Sequence, residues 1–223
     1  MSNSPAISPV SHACVALRWD DKFILTDPVG SNGLFLGLPD ADMILLTDVH
    51  PDHFDIQTLR ALIKAQTTVV LPPAVAQQLP ADLKTKNAVL ANDETKTLSG
   101  FQIAAVPMYN VPQTPSSFHP KGRGNGYVIE KDSQRVYISG DTSGTPEMRA
   151  LKNIDIAFVC MNLPYTMDVQ EAATAVLAFK PKQVIPYHYR TPQGFSDTAE
   201  FKRLVNKGDP DIQVNLLNFY QKH

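Results

Sequence analysis

Residues 47–53 read TDVHPDH and place two histidines and two aspartates in one short stretch, although the chain has only six histidines. The apolar run MILL at 43–46 precedes this stretch, and apolar residues at helical spacing follow it at 56–63. A short apolar run bounded by turn residues is typical of a buried strand, and the later spacing is typical of an amphipathic helix. The sequence therefore predicts a strand-to-helix turn whose side chains are suited to metal ligation.

The composition is that of an ordinary folded protein. Of the 223 residues, 43% are hydrophobic and 19% are charged, which is enough for a large α/β unit with an ample core. The formal net charge of −2 gives no reason to expect nucleic acid or an anionic membrane as a partner. The opening residues MSNSPAISPV lack the charged and apolar regions of a signal peptide, so we expect a cytoplasmic location.

The two cysteines, Cys14 and Cys160, are far apart in the sequence, and neither belongs to a C-x-x-C pair. A disulfide between them stays open as an alternative. We expect two reduced, buried thiols, as in most proteins of a reducing compartment.

Strand-like and helical segments are mixed along the whole chain. Short apolar runs bounded by Gly, Pro, Asp or Asn predict strands at ACVALRW, KFILT, MILLT, TTVVL, FQIAAV, GYVIE, RVYIS, IDIAFV and KQVIPY. The segment YVIEKDSQRVYIS predicts a hairpin. Helices are predicted at 55–65, from Asp168 to a stop at Pro181, and at 198–205. Because no linker or repeat interrupts this pattern, we expect one α/β domain spanning residues 1–223.

Seven polar residues follow the ends of predicted strands. They are Asp48, His50, Asp52 and His53 after MILLT, His119 in the long loop after FQIAAV, Asp141 after RVYIS, and His188 after QVIP. A single histidine is usually an ordinary core or surface residue, but independent core residues have no reason to gather at strand ends. Since α/β sheets bind ligands beyond the carboxyl ends of their strands, the set predicts a site for zinc or a similar divalent ion.

The order of these residues resembles the metallo-β-lactamase superfamily, whose signature is H-x-H-x-D-H after a strand, followed by a distant His, a distant Asp and a final His. Here the signature reads D-x-H-x-D-H at 48–53. The first predicted hairpin, SHACVAL…KFILTDP, also resembles that of the superfamily, with Asp27 at its acidic position. The phrases FHPKGRGNGYVI, YISGDT and NLPYTM resemble hydrolases related to L-ascorbate-6-phosphate lactonase. The resemblance covers nearly the whole chain and implies a four-layered αββα sandwich.

The resemblance also implies two divalent metal ions and their ligands. The first ion would be held by Asp48, His50 and His119, the second by Asp52, His53 and His188, with Asp141 bridging them. Asp27 would support these ligands through hydrogen bonds.

The first letter of the motif departs from the family pattern, because Asp48 stands where the signature has histidine. Zinc is the default metal, but a third carboxylate favours harder ions such as Mn²⁺ or Fe²⁺. The alternative is that Asp48 turns away and the first site is weak or empty.

Two bridged cations suit hydrolysis, because a metal-bridged hydroxide can attack a small ester, lactone or phosphoester. Asp52 and Asp141 are the predicted catalytic residues, and Asp52 would orient the hydroxide or receive its proton. The segment SGDTSG lacks the G-x-S-x-G turn of serine hydrolases, and Cys160 lies at the end of an apolar strand. No serine or cysteine nucleophile is therefore expected.

Residues beside the ligands are candidates for contact with a small, anionic substrate. They are Lys121, Arg123, Tyr165, Tyr187 and Arg190. Cations near a metal suit phosphate or carboxylate groups. For each residue alone, a solvated loop position is an equal alternative.

Other functions stay open. A phosphodiesterase or nuclease of the same superfamily is one, although the chain has no basic face for nucleic acid. A redox di-iron protein is another, but such relatives usually carry Glu at the position of His50 and a flavin domain. A non-catalytic metal-binding module is the last.

Overall fold

The computed structural model describes residues 4–84 and 86–220. They form two compact units, one made of the residues up to Ala91 together with those from Asn218, the other running from Asn92 to Leu217. The expectation of one domain spanning residues 1–223 stays a prediction.

The N-terminal unit contains a six-stranded sheet whose strands are paired in sequence order. Its strands are β1 (Ala6–Ser11), β2 (Cys14–Trp19), β3 (Lys22–Thr26), β4 (Met43–Leu45), β5 (Thr68–Leu71) and β6 (Asn87–Val89). Strand β2 pairs antiparallel with both β1 and β3. The pairs β3–β4, β4–β5 and β5–β6 are parallel. Two short helices, α1 (Ile56–Leu62) and α2 (Pro73–Gln78), follow β4 and β5.

The helix predicted at 55–65 is confirmed as α1, which is three residues shorter at its end. Asp55 caps it by accepting a hydrogen bond of 2.7 Å from the Thr58 amide. Leu59 of this helix and Val75 of α2 are fully buried in one apolar cluster with Ile44 and Leu71 of the sheet. The strand before the 47–53 turn and the helix after it therefore pack into the same apolar cluster.

One edge of this sheet collects three chain segments that carry polar groups. Strands β1 and β3 run in the same direction because each is antiparallel to β2, and β4 is parallel to β3. Their carboxyl ends therefore lie at the same edge. His12 follows β1, Asp27 follows β3, and the 47–53 turn follows β4.

The C-terminal unit contains a seven-stranded sheet of order β15-β12-β11-β10-β9-β8-β7. Its strands are β7 (Thr95–Leu98), β8 (Phe101–Met108), β9 (Gly124–Lys131), β10 (Gln134–Ile138), β11 (Ile156–Cys160), β12 (Gln183–Tyr187) and β15 (Gln213–Val214). A separate hairpin is formed by β13 (Arg190–Thr191) and β14 (Gly194–Phe195). The helices are α3 (Pro146–Arg149), α4 (Val169–Phe179) and α5 (Thr198–Gly208).

The predicted elements of this unit are confirmed. Strands β9 and β10 form the predicted hairpin, with Asp132 and Ser133 in left-handed conformation at its turn. Asp168 caps α4 by accepting a 2.7 Å hydrogen bond from the Glu171 amide. The helix ends at Phe179, just before Pro181, and α5 covers the third predicted helix.

Five strands of this sheet end at the same edge. Strand β8 runs parallel to β10, since both are antiparallel to β9, and β10, β11, β12 and β15 are mutually parallel. The loops that follow β8, β10, β11, β12 and β15 therefore emerge together. His119, Asp141 and His188 lie on three of these loops.

Gly126 lies in β9 where the strand passes very close to the end of β10. A Cβ atom at this position would be 2.8 Å from the Ser139 carbonyl oxygen and 2.9 Å from that of Ile138. Because both obstacles are backbone atoms, Gly126→Ala should lower the free energy of unfolding by about 1–3 kcal/mol, as overpacking does. Denaturant unfolding measures this. Gly33→Ala is the control, since its nearest atom is 3.7 Å away, and an equal loss in both variants would contradict the steric account.

Both cysteines are free and buried, as expected. Burial raises the pKa of the Cys160 thiol to about 12, so this residue is protonated at neutral pH and packs as a small apolar group. Within 4–84 and 86–220, no helix has the length and apolar character needed to cross a membrane.

Candidate metal centre

In the N-terminal unit, His53 is held by a buried acidic partner. Its Nδ1 lies 2.8 Å from Asp27 Oδ2, and the Thr47 amide and hydroxyl donate to the two oxygens of Asp27 at 2.8 and 2.6 Å. Both His53 and Asp27 are buried. A carboxylate that accepts from Nδ1 places the ring proton on that nitrogen and the lone pair on Nε2. This is the arrangement in which a histidine binds a metal through Nε2.

The ionisation of Asp27 depends on these contacts. Burial raises the pKa of Asp27, while the nearby His53 and the hydrogen bonds from Thr47 oppose the rise. The resemblance implies that Asp27 supports the ligands through hydrogen bonds. In the structure its carboxylate orients the His53 ring.

Asp52 faces two histidines of the same unit through different oxygens. Its Oδ1 lies 3.8 Å from His53 Nε2, and its Oδ2 lies 3.2 Å from His12 Nε2. His12 Nδ1 is in turn 2.8 Å from the hydroxyl of Tyr220. The Asp52 side chain is 44% exposed, whereas those of Asp27, Asp48 and Asp141 are buried. Asp52 is thus both oriented and reachable from solvent.

His12 was not in the set predicted from the sequence. It follows β1, a strand that the sequence analysis did not predict because β1 is partly exposed and carries Pro9. Without that strand, His12 had no position at the sheet edge. The segment SHACVAL, which resembles the first hairpin of the superfamily, contains His12 but did not indicate a role for it.

Asp48 turns toward His50 and is completely buried. Its Oδ2 lies 2.8 Å from His50 Nδ1, and the His50 side chain is 33% exposed. This distance fits a hydrogen bond from the imidazole to the carboxylate. It is also close to the separation of roughly 3 Å between two ligand atoms that share an ion at about 2.1 Å. The distance fits both a metal ligand and an orienting partner of His50.

In the C-terminal unit, Asp141 is flanked by two buried histidines. His119 Nε2 lies 3.3 Å from Asp141 Oδ2, and His188 Nε2 lies 3.5 Å from Asp141 Oδ1. These separations exceed those of good N–H···O hydrogen bonds. They are close to the spacing of roughly 3.0–3.4 Å between atoms bound to one ion at tetrahedral or octahedral angles. A carboxylate with one imidazole at each oxygen has the arrangement needed to bridge two ions.

The His119 loop is fixed by a network around Asn110. The His119 amide donates to Asn110 Oδ1 at 2.8 Å, and the Asn110 amide donates to the His119 carbonyl at 2.9 Å. Asn110 Nδ2 also donates to the Tyr165 carbonyl at 2.9 Å. These bonds hold the imidazole of His119 beside Asp141 without an extended secondary structure.

The turns that carry Asp141 and His188 have left-handed backbone. His188 has a φ of 48°, and Gly140, which precedes Asp141, has a φ of 60°. The Gly140 amide donates to the Tyr187 hydroxyl at 2.9 Å. Histidine adopts this conformation less readily than glycine, and the turn places the His188 side chain beside Asp141.

The predicted substrate-binding residues have different surroundings. Tyr187 is fully buried and supports Gly140, so we do not retain it as a substrate contact. Lys121 pairs with Glu147 and lies 4.7 Å from the centre of the Tyr109 ring. Arg190 is exposed, and Tyr165 and Arg123 are half-buried. For Lys121, Arg123, Tyr165 and Arg190, a role in substrate binding stays a prediction.

A family model described as Beta-lactamase superfamily domain matches residues 6–188 of the chain. The chain belongs to the metallo-β-lactamase superfamily. The predicted α/β fold of this type is confirmed, with two multistranded sheets and their helices. The narrower resemblance to the L-ascorbate-6-phosphate lactonase branch stays a prediction.

Proteins similar to this superfamily member come from several organisms. A UPF0173 metal-dependent hydrolase from Pyrococcus horikoshii is 31% identical over 205 residues, covering 88% of this chain and 90% of the relative. A protein from Parabacteroides distasonis, named as a metal-dependent hydrolase, is 37% identical, with a TM-score of 0.84 and coverage of 97% and 94%. A metallo hydrolase from Ignicoccus hospitalis shares the fold at 22% identity, with a TM-score of 0.82 and coverage of 97% and 96%.

Proposed function

We propose that this protein is a metal-dependent hydrolase that uses two divalent ions to cleave a small ester, lactone or phosphoester. The observation that carries the proposal is the environment of Asp141, whose two oxygens each face one imidazole Nε2, at 3.3 and 3.5 Å. Relatives that are named metal-dependent hydrolases support the reaction class.

The donor groups fit divalent ions. Each unit offers imidazole nitrogens beside carboxylate oxygens, and His53 has the supporting carboxylate typical of a ligand. As proposed ligands we keep Asp48, His50 and His119 for one ion, Asp52, His53 and His188 for the other, and Asp141 as the bridge. Zinc is the default metal, with Mn²⁺ and Fe²⁺ as alternatives. When bound, such ions polarise the carbonyl or phosphoryl oxygen of a substrate and lower the pKa of a coordinated water.

Three side chains orient the proposed ligands or accept a proton. Asp27 keeps the proton of His53 on Nδ1, so that Nε2 is the ligating nitrogen. Asp52 is the carboxylate placed to accept a proton, because it alone among the four acidic residues of the proposed site is substantially exposed. His12 holds one oxygen of Asp52 and leaves the other toward His53.

Metal content and hydrolysis test the proposal together. The purified protein should contain two equivalents of divalent metal, and His53→Ala or His188→Ala should each lose one equivalent. Because both ions are required for the reaction, each variant should also lose activity on a panel of esters, lactones, phosphomonoesters and phosphodiesters. A protein that binds no divalent ion, or variants that keep both ions, would contradict the ligand assignment.

A further inference from the structure

The C-terminal unit exposes large apolar side chains only at one edge of its sheet. Among its described residues, all the exposed large hydrophobic side chains follow the carboxyl ends of β8, β11, β12 and β15, and they are between 43% and 59% exposed. They are Val111, Phe118, Leu163, Phe195 and Leu216. We call this set the apolar rim.

Spatial contacts join the loops that carry the apolar rim. The Phe118 ring packs edge-on against Tyr165, with 5.0 Å between ring centres. The Ser196 hydroxyl donates to the Met161 carbonyl, which joins the loops after β12 and β11. The Tyr189 hydroxyl donates to the Leu217 carbonyl at 3.2 Å and so reaches the loop after β15. The rim is therefore carried by one connected set of loops.

The apolar rim is also continuous with the proposed ligands of this unit. Phe118 is the residue before His119, and Tyr189 is the residue after His188. The Tyr189 ring lies 5.9 Å from the Phe195 ring, and the Arg190 guanidinium lies 6.0 Å from the same ring on its hairpin. An apolar surface with a cation among its residues adjoins the histidines that face Asp141.

Exposed apolar side chains are common singly, whereas contiguous apolar patches mark binding surfaces. Here α4 and α5 follow the loops and bury other apolar residues, among them Val176 and Phe201. These helices leave the apolar rim exposed.

We infer that the substrate is amphiphilic, with a hydrolysable anionic or ester group at Asp141 and an acyl or aryl group that lies on the apolar rim. This inference rests on the proposed function and adds a substrate class to it. Arg190 matches a negative charge on such a substrate, and Phe118 and Phe195 match its apolar part. A small, fully polar sugar phosphate would leave the rim unused.

Binding of non-hydrolysable probes tests the inference without requiring turnover. The probes are ethyl-, hexyl- and decylphosphonate, titrated calorimetrically into the metal-loaded protein. Each buried methylene should strengthen binding by about twofold to fourfold, because burial of apolar surface scales with chain length. Equal affinity for the three probes would overturn the inference.

Matched variants locate the effect. Phe118→Ser and Phe195→Ser should each flatten the dependence of affinity on chain length while metal content stays at the wild-type value. Leu36→Ser is the control, since Leu36 is 80% exposed and lies in the N-terminal unit, and it should leave the dependence unchanged. An equal loss in Leu36→Ser and the rim variants would show a general surface effect and overturn the inference.

Hydrolysis of p-nitrophenyl acetate, hexanoate and decanoate separates this inference from the proposed function. A rise of kcat/KM with chain length that Phe195→Ser removes supports both. Chain-length-dependent phosphonate binding without any hydrolysis supports the rim and contradicts the hydrolase proposal. Hydrolysis without chain-length dependence contradicts the rim alone. A dimer that Phe195→Ser dissociates, together with probes that do not bind, would assign the rim to a second copy and overturn the inference.

Discussion

Replacement of Asp141 by asparagine should remove bound metal and abolish hydrolysis. An amide keeps the shape of the side chain but has one oxygen and no charge, so it cannot offer an anionic oxygen to each of the two proposed ions. Loss of a supporting residue typically costs 10- to 100-fold in metal affinity or activity, so loss of the bridge should cost more than about 100-fold. Metal analysis and the rate on the best substrate of the panel measure both effects.

The stability of the metal-free protein distinguishes this role from a structural one. Asp141 is buried beside two imidazoles, and a buried carboxylate costs free energy when no cation compensates it. Asp141→Asn should therefore leave the metal-free protein as stable as wild type or more stable. A clear loss of stability in the metal-free variant would show that Asp141 acts mainly as a structural residue.

Asp155→Asn is the matched control for this experiment. Asp155 is also a buried carboxylate of the C-terminal unit, but it accepts a hydrogen bond from the Arg135 amide and pairs with Lys182, both at 2.7 Å. Its replacement should lower stability and leave metal content unchanged. If Asp155→Asn lost metal as Asp141→Asn does, the metal loss would follow from general destabilisation.

The central strands could be predicted because their apolar runs are bounded by turn residues. The runs before His53, Asp141 and His188 are buried strands, and burial requires continuous apolar sequence. Their shared edge followed from the rule that ligand groups lie at carboxyl ends. The position of these three residues at strand ends was therefore predictable from residue types alone.

The edges of the sheets could not be predicted in the same way. Strand β7 is exposed and has the sequence TKTL, and β15 has only two residues, so neither shows a buried apolar run. Such strands form because a neighbouring strand offers hydrogen-bonding groups. The presence of that neighbour cannot be predicted from the local sequence. The omission of β1 had a functional consequence, since it concealed the position of His12 at the edge that carries Asp52.

Side-chain direction explains the differences among the predicted substrate residues. Tyr187 is the last residue of β12, whereas His188 follows it with left-handed backbone, so the two side chains take different directions. His188 turns toward Asp141, while Tyr187 points into the core beneath Gly140. For Tyr187, closeness in sequence to a ligand therefore did not indicate contact with a substrate. The Lys121 ammonium group pairs with Glu147, 26 residues away in sequence, and its role in substrate binding stays a prediction.

Replacement of Asp48 should decide whether the unusual first residue of the motif binds metal. If Asp48 is a ligand, Asp48→Ala should lower the affinity for one ion by more than about 100-fold and leave the other ion bound. If Asp48 only orients His50, the loss of affinity should be about 10- to 100-fold. If the reaction uses both cations as proposed, activity should follow the occupancy of the site whose binding is weakened. Chelator competition with Zn²⁺ and Mn²⁺ supplied separately measures each affinity.

Two further substitutions separate the role of the charge from that of the hydrogen bond. Asp48→Asn keeps an oxygen that can accept from His50 Nδ1, which lies 2.8 Å from the carboxylate, but it removes the negative charge. It should behave as Asp48→Ala if Asp48 is a ligand and as wild type if Asp48 only orients His50. Asp48→His should restore binding and shift the preference from Mn²⁺ toward Zn²⁺, because imidazole is the softer donor. If Asp48→Ala keeps two ions and the full rate, Asp48 takes no part in metal binding, and the two ions depend on the remaining six proposed ligands alone.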